Sequence, residues 1–143
     1  GEAPGKDEDA QGEPFVGRAG RLLNEMIFSL DLCREEIFIA NILKCRPPNN
    51  RDPKASEVDQ CFSYLEQQVQ LIEPKIIIAV GKVAAQNLLG TDQTMSQLRG
   101  RVHYFGAIKI PLVVFYHPAY LLRSPSQKPK AWQDLILAKQ MIS

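Results

Sequence analysis

The chain has 143 residues, 45% of them hydrophobic and 23% charged, with a formal net charge of +1. That length supports one domain around one core, and the near-neutral charge supplies no global field for a polyanion. The longest apolar runs, residues 76–80 and 110–116, are too short to cross a bilayer, and no secretory signal is visible at the acidic, Gly/Pro-rich start. Three cysteines, an odd number, argue for a reducing, cytoplasmic setting and against a disulfide framework.

In chain order, the first segment is a stiff turn, Gly1-Glu2-Ala3-Pro4-Gly5, followed by the acidic stretch Asp7, Glu8, Asp9 and Glu13 and by Phe15 in a Gly-bounded turn. Leu22, Leu23, Met26, Ile27 and Leu30 then recur at helical spacing and predict an amphipathic helix. Residues 36–43 (EIFIANIL) read as a short strand, and the loop CRPPNNRDP that follows is dense in turn formers. Pro53 and Ser56 suit the start of a second helix, with Val58, Cys61, Phe62, Leu65, Val69 and Ile72 on its inner face.

Residues 75–80 (KIIIAV) are apolar on both faces, as a central parallel strand is. Gly81 turns into a helix that Gly90 stops. Val102/Tyr104 and Ile108/Ile110 alternate around Gly106, predicting a hairpin that leads into a strand over 112–116. A last helix starts near Pro129 and is expected to turn Trp132, Leu135 and Ile136 inward. Helices interleaved with short buried strands predict a single α/β domain over 1–143, with a parallel sheet covered on both faces. A turn such as GEAPG normally leaves the C-terminal end of a strand, where ligands bind. No strand precedes it here, so the natural protein is expected to extend further at its N-terminus.

Four polar features stand out along this frame. Asn41 lies inside an apolar strand, where a buried amide needs partners; it either pairs with a strand edge, the commoner case, or reads the donor–acceptor edge of a base. His117 follows five apolar residues, and Pro118 ends the strand and fixes the direction of the imidazole. A lone strand-end histidine is more often a satisfied hydrogen-bonder than a catalyst, and His103 has no assigned role. Lys44, Arg46, Arg51 and Lys54 cluster in one loop and Arg123, Lys128 and Lys130 in another, as solvated charge or as phosphate contacts. Cys45 and Cys61 are two thiols, whereas zinc or an iron–sulfur cluster usually takes four ligands; Cys33 reads as structural.

Together GEAPGKDEDAQGEPFVGRAGRLLNEM (1–26), NILKCRPPNNRDP (41–53) and HPAYLLRSPSQK (117–128) resemble the family 4 uracil-DNA glycosylases, the iron–sulfur branch of that superfamily. The resemblance runs in order over nearly the whole chain. It implies a three-layer α/β/α sandwich around a mostly parallel four-stranded sheet, whose first strand and accompanying CxxC segment are missing here, so that this chain alone is expected to fold poorly. It implies a monomeric hydrolase, acting on uracil-containing DNA and not at a membrane, that flips the base out and cleaves its glycosidic bond in base-excision repair. Glu2 would position the attacking water, Ala3 would contact water or base through its backbone, and Pro4 and Gly5 would press on DNA phosphates. Glu8 would shape the pocket, Phe15 would stack on the flipped ring, Asn41 would pair with the uracil edge, and His117 would donate to the uracil oxygen. Leu121 would enter the gap left by the base as an apolar wedge, and Arg123 would hold a phosphate. Cys45 and Cys61 would be two of the four ligands of a 4Fe-4S cluster. The alternative of a different class is a non-catalytic DNA-binding domain of glycosylase type, attached to a polymerase or another repair protein.

Overall fold

The structure is a computed structural model that describes residues 17–32, 36–39 and 65–142. Helix α1 (Arg18–Ser29) is the amphipathic helix read from the sequence, with Gly20, Leu23, Met26 and Ile27 on its buried side. Residues 65–72 are helical and form the described part of α2. Strand β1 (Ile77–Val80) leads through Gly81 into α3 (Lys82–Leu89), which Gly90 ends in the left-handed conformation at φ 61°. A short helix, α4 (Met95–Leu98), precedes the hairpin strands β2 (His103–Phe105) and β3 (Ile110–Phe115). The chain closes with α5 (Pro118–Arg123), a 3-10 turn (Pro125–Gln127) and α6 (Lys128–Ile142).

Among the described residues the sheet has three strands in the order β1-β3-β2, with β3 parallel to β1 and antiparallel to β2. The hairpin around Gly106 is therefore as expected, and the described sheet is mixed. Residues 36–39 carry no strand, and the remainder of the expected 36–43 strand lies outside the described residues.

Strand β3 organises the core because its alternate side chains are buried on opposite faces. Val113 and Phe115 join Met26, Leu30, Leu121, Ala131, Leu135 and Ala138, from α1, α5 and α6. Leu112 and Val114 join Leu65, Ala79, Ala84, Ala85 and Leu98, from α2, β1, α3 and α4. Helices thus cover both faces of the sheet, the α/β/α layering that the apolar runs predict. Leu112, Val113 and Val114 are all fully excluded from solvent, and burial of each such side chain contributes roughly 1.5–3 kcal/mol.

Two readings are corrected. The inner face of α6 consists of Ala131, Asp134, Leu135 and Ala138, while Trp132 and Ile136 are 59% and 45% exposed. The spacing i, i+3, i+4, i+7 holds, but its phase is set by small residues that let the helix approach the sheet. Helix α4 went unread; its start is a capping box in which Thr94 accepts from the Gln97 backbone N–H and the Gln97 side chain accepts from the Thr94 N–H. Among the described residues no helix is long and apolar enough to cross a membrane.

Candidate active site

The parallel pairing of β1 with β3 brings their carboxyl ends side by side, Val80 opposite Phe115. The Gly81 N–H extends that ladder by donating to the Phe115 carbonyl at 2.9 Å. Ligands of open α/β sheets bind just outside such strand ends, and here the residues beyond them are Gly81, Tyr116 and His117.

His117 is the N-cap of α5. Its Nδ1 accepts the Ala119 backbone N–H at 3.0 Å, and its carbonyl accepts the Leu121 N–H at 3.2 Å. Pro118 takes the first helical position, where a missing N–H costs nothing. The local sequence therefore fixes both the place and the tautomer of the ring. With the Nδ1 lone pair engaged by an N–H, a neutral imidazole carries its proton on Nε2.

The ring's charge state is fixed as well. Burial above all, with a smaller effect of positive charge that includes Arg123, lowers the His117 pKa from 6.5 to about 4. Protonation at Nδ1 would also turn the Ala119 N–H from partner into opponent. Around neutral pH His117 is an uncharged donor whose N–H is the Nε2 one.

Arg123 occupies the last turn of α5 and is exposed, as an anion contact must be. Leu121 is not. It is 2% exposed and packs with Met26, Leu30, Val113 and Phe115. This corrects the expectation of a wedge, since a side chain committed to the core has no surface to offer a base stack. The adjacent Leu122 is half-buried and is the leucine of this turn that reaches solvent.

Glu2, Ala3, Pro4, Gly5, Glu8, Phe15, Asn41, Cys45 and Cys61 lie outside the described residues. Among the described residues no group of three or more His, Cys, Asp or Glu side chains gathers as a metal site. Cys45 and Cys61, the two thiols that the resemblance assigns to a four-ligand cluster, are not among the residues searched. An apolar cavity of about 420 Å³ along β1, lined by residues such as Leu23, Ile27, Ile37, Val69 and Ile77, contains neither His117 nor Arg123 in its wall.

Four residues at this end of the sheet carry no site role in the sequence reading. Gly81 has φ 94° and ψ 167° and faces the His117 ring; its signal was a lone glycine between an apolar strand and a helix. His117 is preceded by the buried Tyr116, whose hydroxyl pKa is raised by burial and partly offset by Arg99. Asp134 and Arg99 form a buried pair behind it, with Asp134 signalled only as one acid in an otherwise apolar helical stripe.

The family model described as the uracil DNA glycosylase superfamily matches residues 1–137. The chain belongs to the uracil DNA glycosylase superfamily. It is 46% identical to a type-4 uracil-DNA glycosylase of Archaeoglobus fulgidus, over 94% of this chain and 70% of that protein. It is 39% identical to the type-4 uracil-DNA glycosylase of Pyrobaculum aerophilum, over 96% of this chain and 73% of that protein. A third type-4 relative, from Sulfurisphaera tokodaii, is 42% identical over 94% of this chain and 64% of its own length. The superfamily's α/β fold agrees with the layers around β3, and the stretch 117–128 that carried the resemblance begins at the histidine described above.

Proposed function

We infer that the chain is a uracil-DNA glycosylase, a hydrolase that releases uracil from DNA in repair. The observation that carries this reading is a histidine held neutral, with its proton on Nε2, at the carboxyl ends of two parallel strands in a chain of this superfamily.

The chemistry explains why that state is the useful one. A stacked uracil is out of reach, so the nucleotide is rotated out of the duplex at a cost of a few kcal/mol. The bond from the base nitrogen to the sugar C1′ then breaks, the electron pair leaves with uracil as an anion, the oxygen of water bonds to C1′, and the proton that this water loses passes to solvent. Negative charge grows on a uracil oxygen as this happens. A preorganised neutral N–H aimed at that oxygen is typically worth ~3 kcal/mol. A neutral donor also gives its hydrogen bond without surrendering a proton to the leaving group, so it stabilises the anion as an anion.

The other roles are proposals on the same footing. Phe15 stacks on the everted ring, and Asn41 presents its amide to the uracil edge. Cytosine reverses the donor and acceptor there and leaves buried groups unpaired, which disfavours it strongly. Glu2 positions the water and favours the cationic sugar, Ala3 lends a backbone contact, Glu8 shapes the pocket, and Pro4, Gly5 and Arg123 meet phosphates. Cys45 and Cys61 are the thiolate candidates for a cluster, and no step of the reaction depends on one.

The test is release of free uracil from a uracil-bearing oligonucleotide by the chain, by His117→Ala and by Asn41→Ala. Release by the unaltered chain, and its loss in both variants with DNA binding retained, supports the reading. Binding without release by the unaltered chain overturns it in favour of a non-catalytic DNA-binding domain.

A further inference from the structure

Behind the strand that presents His117 lies an ion pair that the reaction itself does not use. Asp134, on the inner face of α6, is wholly buried, with 0% of its surface exposed. Arg99, just past α4, donates to both of its oxygens, Nε to Oδ2 at 3.1 Å and Nη2 to Oδ1 at 3.1 Å. The same Nη2 also reaches the Lys130 carbonyl at 3.2 Å and the Gln133 side-chain oxygen at 3.1 Å. The Gly100 backbone N–H adds a further hydrogen bond to the carboxylate, yet burial still leaves the Asp134 pKa raised. A buried pair of this kind is weak evidence of a stabilising role, because the desolvation of both ions roughly cancels their attraction. What it does supply is a fixed guanidinium plane.

That plane faces Tyr116. The Arg99 Cζ lies 5.9 Å from the centre of the Tyr116 ring, within cation–π range. Tyr116 in turn packs on Tyr120 with ring centres 5.0 Å apart and planes at 33°. Tyr116 directly precedes His117, and Tyr120 sits in the first turn of the helix that His117 caps. The two rings therefore hold the backbone on either side of the imidazole, and Arg99 holds the rings.

We propose that Arg99 and Asp134 are positioning residues for His117: their buried pair clamps Tyr116 and Tyr120, and through them the strand end and helix start that aim the imidazole. The proposal rests on the glycosylase reading for its kinetic consequence, but its structural consequence at the His117 ring does not. Misplacement of a catalytic donor by about 1 Å costs up to ~100-fold in rate.

The experiment uses the double variant Arg99→Met with Asp134→Leu, in which an apolar pair replaces the ions; such exchanges are commonly neutral or stabilising. Gly100 is exposed, so its N–H can turn to water. Uracil release and the nitrogen chemical shifts of the His117 ring are both followed, at a temperature where thermal melting shows the variant folded. The expected result is a kcat lowered about 10- to 100-fold with KM changed by no more than about 3-fold. The His117 ring signals should also shift or broaden. Tyr116→Leu breaks the same chain of contacts from its other end, keeps the ion pair, and should reproduce both effects if the double variant fails to fold. A kcat within about 2-fold of the unaltered chain and unmoved ring signals, in either folded variant, overturn the proposal. If the unaltered chain releases no uracil while the ring signals still respond, the glycosylase reading fails and the clamp stands.

Discussion

Gly81 and His117 occupy each other's space: a Cβ built on Gly81 would lie 3.3 Å from the His117 Cδ2 and 3.4 Å from its Cβ. The two residues belong to loops that leave neighbouring parallel strands, so the imidazole rests against bare backbone. That contact fixes one side of the ring, while the Ala119 N–H fixes one of its nitrogens.

Gly81→Ala should therefore damage the site twice over. The backbone at φ 94° and ψ 167° lies in a region that only glycine occupies readily, and placing alanine there costs about 1–3 kcal/mol. The new methyl also forces the ring to yield by a few tenths of an ångström. The expected outcome is a lower thermal midpoint and slower uracil release even where the variant is fully folded. Unchanged release from the folded variant would show that the glycine serves the turn alone.

The depressed pKa of His117 has a signed consequence for stability. Between pH 6.5 and about 4 the unfolded chain binds a proton that the folded one refuses. The contribution of His117 to stability is thus full above pH 6.5, falls as the pH is lowered through this window, and levels off below it. The distance from 6.5 to about 4 corresponds to at most ~3 kcal/mol. Denaturant midpoints measured from pH 7 to pH 4 should fall more steeply for the unaltered chain than for His117→Gln. Nitrogen shifts of the ring should report the Nε2–H tautomer down to about pH 5. A midpoint near 6.5 in that titration would remove the neutral-donor argument.

Much of this arrangement is legible in the letters, for reasons that differ by element. Residues 76–80 and 110–116 announce buried strands because both faces are apolar, and the glycines at 81, 90 and 106 mark real turns. His117-Pro118 marks a strand end followed by a helix start, which is what the chain does there. The phase of α6 was hidden because Trp132 and Ile136 outweigh Ala131 and Ala138 in apolarity, whereas close approach to the sheet favours the alanines. Asp134 reads as a surface acid until its partner is known, and Arg99 stands 35 residues away in sequence. Spacing on one helix carries no trace of such a pairing. Leu121 was misjudged for a related reason: four residues past His117 it has turned under the helix, onto the core shared with α1.

Leu121→Ala tests that last point. If the side chain fills the core, its truncation should cost about 2–5 kcal/mol, as expected for a buried leucine. The loss would be read as a lower denaturant midpoint with an unchanged slope. Leu122→Ala, on the half-buried side of the same turn, should cost little stability. The reverse ranking would place Leu121 at the surface and restore it as a wedge.

Arg123 closes the argument about DNA. Its exposed side chain sits on the helix that His117 caps, close enough for its charge to help depress the imidazole pKa. A cation there meets phosphates beside the everted nucleotide, and each phosphate contact contributes about one to the slope of log affinity against log salt. Arg123→Ala should weaken binding to any sequence alike and reduce that slope by about 1, with little effect on kcat once DNA is saturating. Removing the charge should also let the His117 pKa rise slightly, so the ring titration in this variant offers a second, independent reading of the same proximity. An unchanged salt slope together with an unchanged titration would place Arg123 away from both the DNA and the histidine.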